Sequence, residues 1–172
     1  VVVLVVGPLL YVYLPREIAR WHMAASIEQR LNGDLDAAIR SITRAIDRFP
    51  ENEELYRQRA EWRVENKQFP QALQDAERAV RLAPQSIEGY LVRSQVYQHL
   101  GRHAEAVADW NTLVDLAAFR GGLDRAVLLN GRAYARALAG LELDEALSEI
   151  EQALQSAGQD AALLDTRGFI HF

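Results

Sequence analysis

Three observations predict an all-α fold of stacked antiparallel helix pairs. Ala38, Ala45 and Pro50 recur as Ala72, Ala79 and Pro84, each 34 residues further on, and a fixed period of roughly 20–50 residues marks a repeat architecture. Prolines and glycines fall mostly between helix-periodic segments, where chain breaks belong. Hydrophobic residues make up 49% of the 172 and charged residues 25%, a balance that sustains a packed core and excludes wholesale disorder.

Residues 1–14 carry no charge, and Pro15-Arg16 breaks the run. Fourteen residues fall short of the ~20 needed to cross a bilayer. However, Tyr11, Tyr13, Arg16, Arg20 and Trp21 form an aromatic and basic collar of the kind found at a membrane interface. With Val1 rather than Met at its start, residues 1–15 read as the second half of a transmembrane anchor. A signal sequence and a docked core segment are the alternatives. The localisation expected is membrane, through a single-pass N-terminal anchor, with secretion or a periplasmic location as the other possibility. The side of the membrane stays open.

The array is expected over residues 16–172. Residues 19–52 form a first hairpin: Gly33 stops one helix, Asp34 caps the next and Pro50 ends it. Residues 53–86 repeat the plan with Ala72, Ala79 and Pro84, and Ser86 caps the helix that follows. Residues 87–120 keep Gly101 and Ala106, and then Thr112, Leu113 and Ala118 depart from the pattern. Residues 121–126 are extra, either a longer loop or an extension of the preceding helix. A fourth hairpin, 127–160, places Ala146 and Ala153 on the same close crossing as Ala38 and Ala45. Ala161 opens a fifth that stops inside its first helix, as a piece of a longer array would.

The pattern resembles the tetratricopeptide repeat family over about residues 19–172. Small residues there let two helices approach, as Ser26, Ala60 and Ser94 do in first helices and Ala38, Ala72 and Ala106 in second ones. The resemblance implies an α-α superhelix with a concave groove lined by first helices. It carries a protein-binding role onto Arg20, Met23, Ile27 and Arg30, then Glu54, Arg57, Glu61 and Glu65, then Leu91, Gln95 and Gln98. In the fourth repeat the same places would hold Leu128, Gly131, Ala135, Leu138 and Ala139. Members that clamp a chaperone carboxylate use Lys and Asn where this chain has Met23 and Ile27, Arg57 and Glu61, Leu91 and Gln95, so that subtype is disfavoured.

Chemistry finds little footing. There is no cysteine, which excludes disulfides, thiolate metal sites and thiol catalysis. His99 and His103 are four apart, but Gly101 places a turn between them, so they do not share a helix face for a metal. Glu53–Glu54 and Glu142–Asp144–Glu145 stand near helix starts, where carboxylates complement the dipole. Net charge is −5, with the acidic excess in the last third and no basic stripe to meet phosphates. The expected function is a membrane-tethered, non-catalytic scaffold for a protein or peptide partner. No cofactor, metal, nucleic acid or small-molecule substrate is expected. A self-associating structural array and the accessory region of a larger enzyme are the alternatives.

Overall fold

The computed structural model describes residues 17–18, 20–120, 124–158 and 160–172, and among these the regular structure is entirely α-helical. The helices are α1 (20–31), α2 (Leu35–Arg48), α3 (Glu53–Glu65), α4 (Phe69–Leu82), α5 (Ile87–His99), α6 (His103–Arg120), α7 (Arg125–Ala139), α8 (Leu143–Ala157) and α9 (Ala161–His171). They fall into two compact units, one ending at Pro84 and the other beginning at Gln85. The proposed anchor, residues 1–15, lies outside the described residues. Among those described, no helix is long and apolar enough to cross a membrane.

In the first unit the second helices bury one stripe. Ala38, Ile42, Ala45 and Ile46 of α2 pack with Leu55 and Trp62 of α3, and Met23 of α1 leans on the same cluster. Ala72, Ala76, Ala79 and Val80 of α4 repeat that stripe, the i, i+4, i+7, i+8 spacing of a core-facing helix. Ala38, Ala45 and Ala72 have no exposed surface, so the small residues sit at the crossings as the period requires. Asp34 accepts a hydrogen bond from Ala37 N at 2.8 Å and caps α2. Ser86 caps α5 through Gly89 N.

Turns between paired helices obey the same period. Gly33 and Gly101 take the left-handed conformation, with φ of 81° and 71°. The residue 34 after Gly33 is Lys67, which holds φ 57° without being glycine. That backbone costs an L-residue roughly 1–2 kcal/mol, while glycine's extra unfolded-state freedom costs about 0.5–1. Lys67→Gly is therefore expected to raise stability by about 0.5 kcal/mol. An unchanged or lowered urea midpoint would contradict this.

A buried ion pair also follows the repeat. Arg59 grips Asp75 with two hydrogen bonds of 2.8 and 2.7 Å, and Arg63 adds a third at 2.6 Å. Arg59 also donates to Thr43 Oγ1 at 2.9 Å, tying α3 to both neighbours. Thirty-four residues on, Arg93 grips Asp109 at 2.9 and 2.6 Å. In the fourth repeat Arg132 and Arg136 both meet Glu149.

In the second unit, α6 runs four residues past 116, the position 34 after the end of α4. Of the segment expected to be extra, 121–123 lie outside the described residues, Asp124 caps α7, and Arg125 and Ala126 are its first residues. Leu113, Ala117 and Leu128 form one cluster with Leu91 and Trp110 against it. Ala133, Ala146, Ile150, Ala153 and Leu163 form another. The register of α7 differs from the expected one. Thirty-nine residues separate Arg93 from Arg132, Ser94 from Ala133 and Gly101 from Gly140, whereas 40 separate Ala106 from Ala146 and Asp109 from Glu149. One residue has entered the α7–α8 turn, where Gly140 and Glu142 both have positive φ. The register of the fourth repeat thus begins at Ala126, one residue into α7, and Ala133 rather than Tyr134 makes the close crossing.

Candidate functional site

First-helix faces are where the expected contacts lie, and each unit presents its own. In the first unit, Arg30 of α1 donates to Glu65 of α3 from Nε and Nη2, the latter at 2.7 Å. Arg57 lies between Glu54 and Glu61, one turn away on either side, and binds both. Two guanidiniums thus face three carboxylates, leaving one negative charge. Arg20 extends into solvent and pairs with Glu17 at 3.1 Å. Met23 is partly buried on the core, and Ile27 remains 39% exposed.

Charge placement sets the titration of this face. The hydrogen bond to Glu65 raises Arg30 above its ordinary value. Burial opposes the charge on Arg57, but Glu54 and Glu61 outweigh it and the group is raised. Burial raises Glu61 against the pull of Arg57. In the second unit, by contrast, the hydrogen bond from Arg102 lowers exposed Glu105. Carboxyl chemical shifts followed with pH should therefore place the Glu61 midpoint above that of Glu105, and the reverse order would refute this account. A Glu held protonated more tightly in the fold than in the unfolded chain favours folding as pH falls. That contribution disappears as pH rises through its folded pKa. Charge reversal at Arg57 would crowd three carboxylates, so Arg57→Gln is the cleaner probe of binding here.

In the second unit the expected residues divide. Leu91 of α5 packs against the Leu113–Leu128 cluster and spends its side chain there. Gln95 is exposed and Gln98 half-buried. Of the residues assigned to α7, Leu128 and Ala135 are buried. Gly131 lies under the Trp110 ring, which a Cβ at that position would meet. The inserted turn residue accounts for this: moving the register back by one puts Val127, Asn130 and Tyr134 on the face instead. Val127 is 57% exposed and Tyr134 40%. Phe169 of α9 occupies the place equivalent to Tyr134 in its own repeat and is 47% exposed. The two rings lie 5.7 Å apart between centroids.

Anchoring the fourth repeat on Ala146 and Ala153 hides these residues, because the added turn residue lies between those alanines and α7. A usable signal was present: an Arg followed by a small residue opens the crossing at Arg59-Ala60, Arg93-Ser94, Arg132-Ala133 and Arg167-Gly168.

A pocket of about 360 Å³ opens between the N-terminal ends of α7 and α9, walled by Ala126, Val127, Ala157, Ala162 and Leu163. Asn130 also lines it, with the cap residues Asp124 and Asp160, and the Asn130 Oδ1 is buried without a hydrogen-bond partner among the described residues. No group of three or more His, Cys, Asp or Glu side chains that would hold a metal is found among those residues. His99 ends α5 and His103 begins α6, with the turn between them.

Similarity to known proteins follows the fold. No family model matches the chain. Over 78 residues it is 32% identical to rat (Rattus norvegicus) sperm-associated antigen 1, a stretch covering 45% of this chain and 9% of that protein. The chain superposes on a tetratricopeptide repeat protein from Parabacteroides merdae with a TM-score of 0.79 at 17% identity, covering 90% of this chain and 59% of that one. It also matches the first TPR of Spaghetti (RPAP3) bound to the HSP90 peptide SRMEEVD, with a TM-score of 0.57, 21% identity and coverage of 83% and 98%.

Proposed function

Since the chain is a tetratricopeptide-repeat protein in its fold, we propose that it is a non-catalytic scaffold that holds a protein partner on its first-helix faces. The observation that carries this reading is the Tyr134–Phe169 pair. Two large rings stay near half exposed, side by side, on the face that a repeat array uses for extended or helical ligands. Aromatic residues so placed supply much of the binding energy at protein interfaces. A solved protein of like fold holds a peptide, which supports the same use here. Arg20, Met23, Ile27, Arg30, Glu54, Arg57, Glu61 and Glu65 form the corresponding face of the first unit. Gln95 and Gln98 join that of the second.

The uncharged run of residues 1–14 supports a further part of the proposal, a single-pass tether that confines these faces near a membrane. Tethering raises their effective concentration for partners at the same surface.

Selection of a random peptide display library on the whole chain tests the scaffold. Enrichment is expected and should fall when Tyr134 and Phe169 are both changed to serine. A library that yields no binder, or equal yields with the double variant, would reject it. Alkaline carbonate extraction of the natural full-length protein tests the tether, which is rejected if the protein enters the soluble fraction.

A further inference from the structure

We infer that the first-helix face of the second unit accepts an extended peptide in which a Lys or Arg stands two residues from an aliphatic side chain. This deepens the scaffold reading and rests on it. The starting point is where the cations of this unit go. Arg93, Arg132, Arg136 and Arg167 of the first helices are paired with Asp109, Glu149, Glu142 and Glu151, all outside those helices, and Arg125, nine residues before Tyr134, stands on the opposite side of α7. The face formed by Val127, Asn130, Tyr134, Asp165 and Phe169 therefore carries a carboxylate and no cation.

Asp165 precedes Phe169 by one helical turn, so the two share a face of α9. A carboxylate beside two exposed rings is a cation's environment: it combines an ion pair with cation–π attraction, which strengthens as the site loses water. The N-terminal ends of α7 and α9 do not oppose this strongly. Asp124 and Asp160 already accept from Ala126 N at 2.8 Å and Ala162 N at 2.9 Å, countering the positive end of each dipole.

One turn toward those ends lies the pocket, with Asp124 and Asp160 beside its apolar wall. Its Ala, Val and Leu wall suits an aliphatic side chain, and the unpaired Asn130 Oδ1 suits a peptide N–H. From Tyr134 to Asn130 is four helical residues, about 6 Å along the axis. Alternate side chains of an extended strand are about 6.6 Å apart. The cation and the aliphatic group are thus two positions apart in sequence, Lys-x-Leu or Arg-x-Leu. An acidic peptide such as that held by the chaperone-binding neighbour would meet repulsion here.

The test is a titration of the isotope-labelled whole chain with two nonapeptides, Gly/Ser-flanked and identical except for a Lys-Ser-Leu or Glu-Ser-Leu centre. The lysine peptide should shift the amide signals of Asn130, Tyr134 and Phe169, and the glutamate peptide should bind at least tenfold more weakly. Asp165→Lys, at an exposed site, should reverse that order without altering the melting curve. The inference is overturned if the glutamate peptide binds as well, if Asp165→Lys leaves the ratio unchanged, or if neither peptide moves those signals. Display binders that lack Lys and Arg yet shift first-helix signals would overturn it while sparing the scaffold reading. Absence of any display binder removes both.

Discussion

Replacing Asp75 by alanine should remove about 3–5 kcal/mol of stability, the usual result of stripping one partner from a buried ion pair. Asp75 has a side chain only 4% exposed, with Arg59 and Arg63 at 12% and 18%. Three hydrogen bonds end on it. Without it, two guanidiniums remain close together inside the α3–α4 hairpin with Thr43 Oγ1 and Gln71 O as their remaining acceptors. For a chain of this length the loss corresponds to a melting-point fall of roughly 10 °C. Asp109→Ala should cost less. Among the described residues only Arg93 grips that carboxylate, and the guanidinium also lies 5.2 Å from the Tyr90 ring and 5.8 Å from the Tyr97 ring, which remain to receive it. Burial also pushes the Asp109 carboxyl upward against Arg93, so its loss relieves a desolvation cost as well as breaking a pair. Equal losses for the two variants, measured by urea unfolding, would show that the second arginine at Asp75 is not what sets the size of the effect.

These ion pairs also show what was legible in the chain. The subtraction that aligns Ala38 with Ala72 and Pro50 with Pro84 aligns Arg59 with Arg93 and Asp75 with Asp109 equally well. The first set was readable because alanine and proline at a helix crossing have one steric meaning. Charged residues on a helix are ordinarily solvated, and nothing local separates a buried Asp75 from a half-buried Glu77. The helix pairs, their glycine turns at 33 and 101 and the caps at Asp34 and Ser86 came from short-range chemistry, which a single sequence carries in full. The turn at Lys67 did not, because its strain is imposed by the packed helices on either side.

The candidate face divided along the same line. Family register places Arg30, Glu54, Arg57, Glu61 and Glu65 on one surface, and the structure pairs them in two groups, Arg30 with Glu65 and Arg57 with Glu54 and Glu61. In the fourth repeat one residue added at Leu141 displaces the whole first helix by a position, turning a side chain by about 100°. Val127 and Tyr134 thereby replace Leu128 and Ala135 at the surface. An insertion in a turn leaves no mark in helix periodicity, so only a feature belonging to the first helix itself, such as the recurring Arg-small pair, reveals it.

Gly131 supplies the second large effect. An ideal Cβ there would stand 2.1 Å from Trp110 Cη2 and 2.4 Å from two further ring atoms. Trp110 in turn packs on the Leu113–Leu128 cluster, so moving its ring away gives up contacts elsewhere. Gly131→Val should destabilise by about 3 kcal/mol, the upper part of the overpacking range. Gly131→Ala should cost only about 1–2, because alanine regains about 1 kcal/mol of helix propensity over glycine. The cause is separable from the cost by repeating Gly131→Ala in a chain carrying Trp110→Leu. With the ring gone, the propensity gain is all that is left, and the substitution should become neutral or stabilising, a coupling of about 2 kcal/mol in the double-mutant cycle. If Gly131→Ala loses as much without the tryptophan as with it, the close approach of α6 to α7 does not explain the glycine.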